Sequence, residues 1–158
     1  MYATENSRDL LGDDLPPDEI NVIIENKHYG WPFCFGRNIP DPEFKDISCE
    51  QREPSFIDLQ AHSAPLGLAF NFGDNFPSEY KGNLFVAYHG SWNRKVPTGY
   101  KIVRININSK QVHDFATGWL TEDNKVIGRP VDIIFDKDGV MYVSDDFGGV
   151  IYRMWYER

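Results

Sequence analysis

Short runs of β-branched and aromatic residues, separated by Gly, Asp and Asn, make up most of the chain. The run Pro65–Phe70 (PLGLAF) resembles the run Pro130–Phe135 (PVDIIF), and each is followed by a turn and another strand-like run. Asp138-Gly139 is the clearest hairpin signal, because this dipeptide favours the backbone angles of tight two-residue turns. The pattern predicts an all-β chain of short antiparallel strands.

The strand-like runs recur in the same order, which indicates an internal repeat. Two further pairs match: residues 82–87 with 139–144, and residues 99–105 with 148–154. Residues 1–6 and 20–23 resemble the second and third strands of an earlier copy that lacks its first strand. Residues 111–120 supply a candidate fourth strand of the middle copy.

Antiparallel repeats of about 50 residues are typical of β-propeller blades, which have four strands each. We expect a single propeller segment over residues 1–158, with about two and a half to three blades: a partial blade (1–35), a long loop excursion (36–64), a blade (65–120) and a last blade (121–158). An ordinary β-sandwich with chance similarity is the alternative. Because propellers close with about four to eight blades, this segment should belong to a longer protein or associate through its open blade edges.

Charge and composition limit the classes of partner that the chain could bind. The chain has 16 Lys and Arg against 24 Asp and Glu, a net charge of -8, which argues against nucleic acid and anionic membranes as partners. No apolar run reaches the roughly 18 residues that a spanning helix needs. Residues 1–11 lack the apolar core of a signal peptide, so we expect no signal peptide in this chain.

The two cysteines, Cys34 and Cys49, lie on either side of a loop that contains Pro40 and Pro42. Two cysteines are too few for a structural zinc site, which uses four ligands. A disulfide that closes the loop is one interpretation, and two separate thiols are the other. A disulfide would indicate an oxidising compartment.

Polar residues follow equivalent strands in all three copies, at the end of a propeller channel where a ligand would bind. They are Glu5, Asn6, Ser7 and Arg8, the segment 89–94 with His89, Asn93 and Arg94, and the pair Asp145 and Asp146. Arg129 stands just before the first strand of the last copy, and Asp132 lies within it. Since the propeller axis relates these positions, we expect them to converge on an anionic or polyhydroxylated ligand, with or without a hard cation.

Each of these residues also has a structural interpretation. Asp145 and Asp146 could cap a turn, His89 could bond to the backbone, and Arg94 and Arg129 could form surface ion pairs. The acidic residues around Pro16-Pro17 are expected to form a solvated loop rather than a metal site.

Several motifs resemble the glucose/sorbosone dehydrogenase family, the soluble pyrroloquinoline quinone-dependent sugar dehydrogenases. They are Asp18-Glu19-Ile20-Asn21, Tyr29-Gly30-Trp31-Pro32, Ala64-Pro65-Leu66-Gly67-Leu68-Ala69-Phe70, His89-Gly90-Ser91-Trp92-Asn93-Arg94 and Gly128-Arg129-Pro130-Val131-Asp132. The resemblance implies a six-bladed propeller that binds pyrroloquinoline quinone and calcium and oxidises aldoses or related sugars. Family members are usually exported, so it also implies a periplasmic or extracellular location.

The resemblance assigns roles to individual residues. Arg129 matches an arginine that faces the quinone, and His89 or Arg94 stands where some members place a second basic residue. Asn6 is expected beside the quinone, and the backbone carbonyls of Ser7 and Arg8 are the expected calcium ligands, although the family's Gly-Pro pair is not kept here. The catalytic histidine belongs to the other half of the family's propeller. We therefore expect the C-terminal half of such an enzyme, inactive alone.

Two other functions stay open. One is a non-catalytic glycan- or protein-binding propeller in which Tyr29, Trp31 and Trp92 form a stacking surface. The other is a calcium-dependent, lactonase-like hydrolase, whose only candidate carboxylate ligands are Glu5, Asp132 and Asp145.

Overall fold

The structure, a computed structural model, describes residues 1–44 and 46–157 as an all-β chain with one short 3-10 helix (Ser78–Tyr80). The strands are β1 (Tyr2–Glu5), β2 (Asp18–Val22), β3 (Cys34–Phe35), β4 (Ile39–Pro40), β5 (Ile57–Leu59), β6 (Pro65–Phe70), β7 (Leu84–Tyr88), β8 (Lys101–Asn106), β9 (Gln111–Ala116), β10 (Pro130–Phe135), β11 (Met141–Asp145) and β12 (Val150–Met154). The runs Pro65–Phe70 and Pro130–Phe135 are strands β6 and β10, and β9 lies within the predicted fourth strand of the middle copy. The all-β, antiparallel prediction is confirmed.

The strands form three main antiparallel sheets in chain order. The middle sheet has the order β6-β7-β8-β9, the last sheet β10-β11-β12, and the first sheet β1-β2-β5, while β3 and β4 form a separate ribbon. Strand β10 lies against β6 and β7, and β1 lies against β6. The sheets therefore pack side by side, with equivalent strands of successive repeats next to each other.

The described part of the predicted loop excursion contains two strands, β4 of the separate ribbon and β5. Residues 36–64 were expected to form a loop, but β5 pairs antiparallel with β2 and completes the first sheet. Ile57 and Leu59 are buried and Asp58 between them is exposed, which is the alternation of a half-buried strand. A run of three residues is too short to stand out from a loop in the sequence.

Strand β7 of the middle sheet is buried on both faces. Phe85 and Ala87 of β7 belong to a core shared with the last sheet, whereas Leu84, Val86 and Tyr88 belong to a core shared with the first sheet. Because successive side chains of a strand point to opposite faces, the continuous apolar run of β7 is explained by its neighbours on both sides. Burial of each large side chain contributes about 1.5–3 kcal/mol.

Gly67 lets β6 and β10 approach closely at the centre of the fold. A Cβ atom at this position would lie 2.5 Å from the Cα atom of Asp132 in β10. The outward face of the last sheet is open in contrast, with Ile134 60% and Ile151 72% exposed. The same sheet thus has one face in the core and one apolar face towards solvent.

Candidate functional site

Arg129 is the centre of a polar cluster where the middle and last sheets meet. Its Nη1 atom donates a hydrogen bond to the carbonyl oxygen of Gly90 (3.1 Å), and its Nη2 atom donates to the hydroxyl of Tyr100 (3.2 Å). The guanidinium also lies over the Tyr100 ring, 4.9 Å from its centroid. These contacts hold the guanidinium half-buried in a fixed orientation.

His89 links Arg129 to the loop that follows β11. Its Nε2 atom lies 3.0 and 3.2 Å from the two carboxylate oxygens of Asp146, and its Nδ1 atom lies 3.5 Å from Nη1 of Arg129. Since arginine only donates hydrogen bonds, Nδ1 acts as the acceptor and Nε2 carries the proton. The structure therefore brings together His89, Arg129 and Asp146, which the repeat had placed at equivalent channel positions.

Asp145 has a structural role in this cluster. Its side chain is 3% exposed and accepts hydrogen bonds from the backbone N–H groups of Arg129 (2.9 Å) and Gly148 (2.7 Å) and from the hydroxyl of Tyr152 (3.0 Å). Burial alone would raise the pKa of this carboxyl, but the hydrogen bonds outweigh it and the pKa is lowered. Asp145 thus positions the backbone of Arg129 and caps the turn after β11.

Arg94 contacts a different part of the chain. Its guanidinium donates to the carbonyl oxygens of Asp13 and Ala61 and to Oδ1 of Asp14. It fastens the segment 9–15, here called the acidic loop. Among the residues that the structure describes, no hydrogen bond or ion pair joins Arg94 to Arg129 or His89, so its role as a cofactor ligand stays a prediction without a supporting contact.

The acidic loop and the segment 89–94 enclose a cleft of about 270 Å³. It is lined by Asn6, Ser7, Asp9, His62, Ala64, Gly90, Ser91, Trp92 and Asn93. Asn6 therefore lines the cleft beside the Arg129 cluster, and its contact with the quinone stays a prediction. His62 holds the acidic loop through its Nε2 atom, which lies 2.8 Å from the carbonyl oxygen of Gly12 and 3.1 Å from that of Leu15.

The side chains of Ser7 and Arg8 are engaged within the fold. The Ser7 hydroxyl donates to the carbonyl of Pro17 (2.6 Å), and Arg8 pairs with Asp41 (3.1 Å) and Glu43 (2.6 Å). Glu5, Ser7 and Arg8 line one small cavity. The expected calcium contacts through the two backbone carbonyls stay a prediction.

Three carboxyls, the half-buried Glu5 and the buried Asp18 and Glu19, lie together at the paired ends of β1 and β2. Asn21 Nδ2 donates to Oε2 of Glu5 (3.1 Å) and to Oε2 of Glu19 (3.0 Å). Burial, with the nearby charges of Glu19 and Asp18, raises the pKa of Glu5 to about 7. Burial raises the pKa of Asp18 to about 6, against the hydrogen bonds that it accepts.

No sequence motif marks these three carboxyls as a cluster. The sequence feature that could have indicated it is the alternation of β1 and β2, which places Glu5 opposite Glu19 on one face once the strands pair.

Cys34 and Cys49 form a disulfide with a Cα–Cα distance of 6.0 Å. The loop-closing interpretation is thus confirmed over two separate thiols. The bridge joins β3 to the end of the loop that passes over the first sheet, where the backbone N–H of Gly36 donates to Oε1 of Glu19 (2.5 Å). The disulfide therefore braces the loop that covers the carboxyl group.

The sequence profile of the TrAA12-like family matches residues 17–157. The chain belongs to the TrAA12-like family. An uncharacterized protein of Borreliella burgdorferi is 47% identical in an alignment of 166 positions that covers 100% of this chain and 44% of the relative. A pyrroloquinoline quinone-dependent pyranose dehydrogenase of Coprinopsis cinerea is 33% identical in an alignment of 134 positions that covers 70% of this chain and 18% of the relative. The predicted resemblance to the quinone-dependent sugar dehydrogenases is confirmed.

Solved structures share the fold of this TrAA12-like chain. A calcium structure of the Trichoderma reesei family AA12 protein superimposes with a TM-score of 0.76 at 22% identity, over 96% of this chain and 47% of that one. The holo pyranose dehydrogenase quinone domain of Coprinopsis cinerea gives 0.72 at 22% identity, over 96% and 50%. The apo aldose sugar dehydrogenase of Escherichia coli gives 0.68 at 23% identity, over 99% and 41%. The chain thus spans half or less of the length of each relative.

No three or more His, Cys, Asp or Glu side chains within residues 1–44 and 46–157 are grouped so that they could hold a metal ion. Within the same residues, no helix is both long and apolar enough to cross a membrane.

Proposed function

We propose that this chain is part of a pyrroloquinoline quinone-dependent sugar dehydrogenase and forms one side of its cofactor-binding face. The observation that carries the proposal is the state of Arg129. Its guanidinium is half-buried and held by neutral acceptors, and in the described part of the chain it forms no salt bridge. A preoriented cation without an anionic partner is suited to bind a carboxylate of the ligand.

The residues of the Arg129 cluster fit the acidic quinone. Arg129 would bind a quinone carboxylate or a quinone oxygen, and Tyr100 supports the guanidinium from below. His89 orients it, because the proton on Nε2 is directed to Asp146 and Nδ1 is left as an acceptor towards Arg129. When bound, the quinone supplies the two-electron acceptor for sugar oxidation.

Calcium is proposed as the second component, following the family resemblance. Calcium takes six to eight oxygen ligands, and the described residues contain no cluster of side-chain carboxylates that could supply them. The ligands in this chain would therefore be the backbone carbonyls of Ser7 and Arg8, with the Glu5 carboxylate in the same cavity.

The lactonase-like alternative is weaker on the same ground. It requires Glu5, Asp132 and Asp145 to converge on one metal ion. The Asp145 carboxylate, however, is buried and accepts hydrogen bonds from the backbone N–H groups of Arg129 and Gly148. Asp132 lies with Ile134 on the open face of the last sheet.

The chain is further proposed to act within a six-bladed propeller, through contact with other blades. The open apolar face of the last sheet, with Ile134 and Ile151, is the surface that an adjacent blade would cover. The catalytic histidine of the family would come from that other part, so we expect no sugar dehydrogenase turnover by this chain alone. The disulfide supports an exported protein, because disulfides persist in oxidising compartments.

The test is a calorimetric titration of the full chain with pyrroloquinoline quinone. Arg129→Gln should weaken quinone binding by about 10- to 150-fold, the loss of a hydrogen bond to a charged group worth about 1.5–3 kcal/mol. Arg129→Lys, which keeps the charge but not the two-pronged geometry, should give an intermediate loss.

Arg37→Gln is the matched control. The Arg37 side chain is 61% exposed, and its Nε atom lies 3.7 Å from Oδ2 of Asp58, which makes a weak surface ion pair. Equal affinities for wild type, Arg129→Gln and Arg37→Gln would reject the proposal. No quinone binding by any of these proteins would favour the non-catalytic binding module instead.

A further inference from the structure

We infer that the cleft between the acidic loop and the segment 89–94 is a subsite for a cyclic, uncharged sugar, with Trp92 as its stacking surface and Asp9 and Asn93 as its hydroxyl-binding pair. This inference rests on the proposed function, because it assigns the sugar a place next to the anion site at Arg129. It goes further in naming the residues that recognise the sugar and the form of sugar that they select.

The cleft borders the Arg129 cluster directly. Gly90 lines the cleft, and its carbonyl oxygen accepts a hydrogen bond from Nη1 of Arg129. The volume of about 270 Å³ is at the lower end of small-molecule sites, which suits a single sugar ring rather than an oligosaccharide. Two ligands that must react with each other could therefore occupy adjacent parts of one surface.

Charge separates the two parts of this surface. The Arg129 side presents a guanidinium without an ion-pair partner in the described residues, and the nearby Asp146 carboxylate is hydrogen-bonded to His89, whereas the cleft side carries the carboxylate of Asp9. A polycarboxylate such as the quinone would be repelled by Asp9 and attracted by Arg129. A neutral polyol suits the opposite arrangement, because its hydroxyl groups donate hydrogen bonds to a carboxylate.

Trp92 is presented as a rigid aromatic surface. Its side chain is 73% exposed, although an indole ring has a large apolar area to bury. The adjacent Ser91 is buried and pinned to Thr98 by two hydrogen bonds, from Ser91 N–H to the Thr98 carbonyl (2.9 Å) and from Thr98 N–H to the Ser91 hydroxyl (3.0 Å). A fixed turn reduces the ordering cost of binding, and a flat ring face of C–H groups is the sugar surface that an indole can cover.

Asp9 and Asn93 offer hydrogen-bond acceptors in the same cleft. Asn93 Nδ2 donates to Oδ1 of Asp9 (2.6 Å), and Asp9 is 40% exposed. The Oδ1 atom of Asn93 is buried and has no hydrogen-bond partner among the described residues. A buried carbonyl oxygen without a hydrogen-bond partner is unfavourable, and a ligand hydroxyl satisfies it if the Asn93 side chain turns towards the cleft.

The acidic loop that carries Asp9 is fixed from two sides. His62 Nε2 holds the loop carbonyls of Gly12 and Leu15, and its Nδ1 lies 3.6 Å from Oδ1 of Asp9. Arg94 holds the far end of the loop at Asp13 and Asp14. The carboxylate is thus positioned before a ligand arrives, as a specific site requires.

The test is calorimetry and saturation-transfer NMR on the full chain without quinone, using methyl β-D-glucopyranoside and the acyclic polyol D-glucitol as probes. The cyclic probe should bind, and D-glucitol should bind at least about 10-fold more weakly because it has no ring face. Trp92→Ala and Asp9→Asn should each weaken binding of the cyclic probe by about 10-fold.

Trp155→Ala is the matched control, since Trp155 is 53% exposed and stacks with Arg153 outside the cleft. It should leave binding unchanged, and circular dichroism melts verify that each variant is folded. The inference is overturned if the cyclic probe does not bind, if D-glucitol binds equally well, or if Trp92→Ala behaves like Trp155→Ala.

A parallel quinone titration distinguishes this failure from failure of the proposed function. Asp9→Asn should leave quinone affinity unchanged or slightly raised, because it removes a negative charge. Sugar binding without quinone binding would reject the proposed function but keep the subsite, and quinone binding without sugar binding would reject the subsite alone.

Discussion

Glu5→Gln should make the folded chain more stable at alkaline pH. Glu5 shares Nδ2 of Asn21 with Glu19, so two carboxyls receive hydrogen bonds from one buried amide group. Glutamine keeps the acceptor oxygen for Asn21 and removes the charge that burial and Glu19 disfavour. The substitution thus isolates the cost of the charge from the value of the hydrogen bond.

The size and sign of the effect come from the pKa of Glu5. Its rise from 4.5 to about 7 corresponds to about 3 kcal/mol before screening, and solvent access to this half-buried side chain reduces the effect to about 1–2 kcal/mol. Because the folded state holds the proton more tightly than the unfolded state, the contribution is present below pH 4.5 and is lost as the pH rises through 7. Glu5→Gln should therefore match the wild type near pH 4.5 and exceed it by about 1–2 kcal/mol at pH 8.

Urea unfolding at pH 4.5, 6, 7 and 8 measures this difference as a free energy of unfolding. The control is Glu50→Gln, which removes a charge from an exposed loop residue and should leave the slope with pH unchanged. The reasoning is refuted if Glu5→Gln and the wild type lose stability in parallel between pH 5 and pH 8. A loss of stability at all pH values would equally contradict it.

Two more predictions concern the loops that enclose the site. Arg94→Ala should lower stability by about 1–3 kcal/mol and speed amide hydrogen exchange in the acidic loop, because Asp13 and Asp14 of this loop lose their donor. The same exchange rate in Arg94→Ala and Arg37→Ala would contradict this prediction. Replacing Cys34 and Cys49 together by Ala should lower the free energy of unfolding by about 3 kcal/mol, the value for a loop of this length, and an unchanged urea midpoint would show that the bridge constrains nothing.

The strand pattern could be predicted because its signals are local. The runs Pro65–Phe70 and Pro130–Phe135 became β6 and β10, and the Asp138-Gly139 turn joins β10 to β11 as expected. Strand β5 could not be predicted, because its three residues are a strand only through pairing with β2, far away in the sequence. Short strands at the edge of a sheet depend on their neighbours more than on their own residues.

The site was partly predictable for the same reason. The repeat predicts that His89, Arg129 and Asp146 lie close together, and the structure shows His89 in contact with both of the others. Strand alternation explains why Asp145 points inward while the next residue, Asp146, reaches His89. The partners of Arg94 depend on the acidic loop, which has no counterpart in the other copies. The buried pairing of Glu5 with Glu19 arises only from the register of β1 and β2, which no local pattern reveals.

The central claim is that Arg129 forms an anion site for the quinone, and amide chemical shifts of the 15N-labelled chain test it most directly. On titration with pyrroloquinoline quinone, the largest shifts should fall on Gly90, Tyr100 and Arg129, and they should vanish in Arg129→Gln. Shifts scattered over the surface, or identical shifts in Arg129→Gln, would contradict the claim.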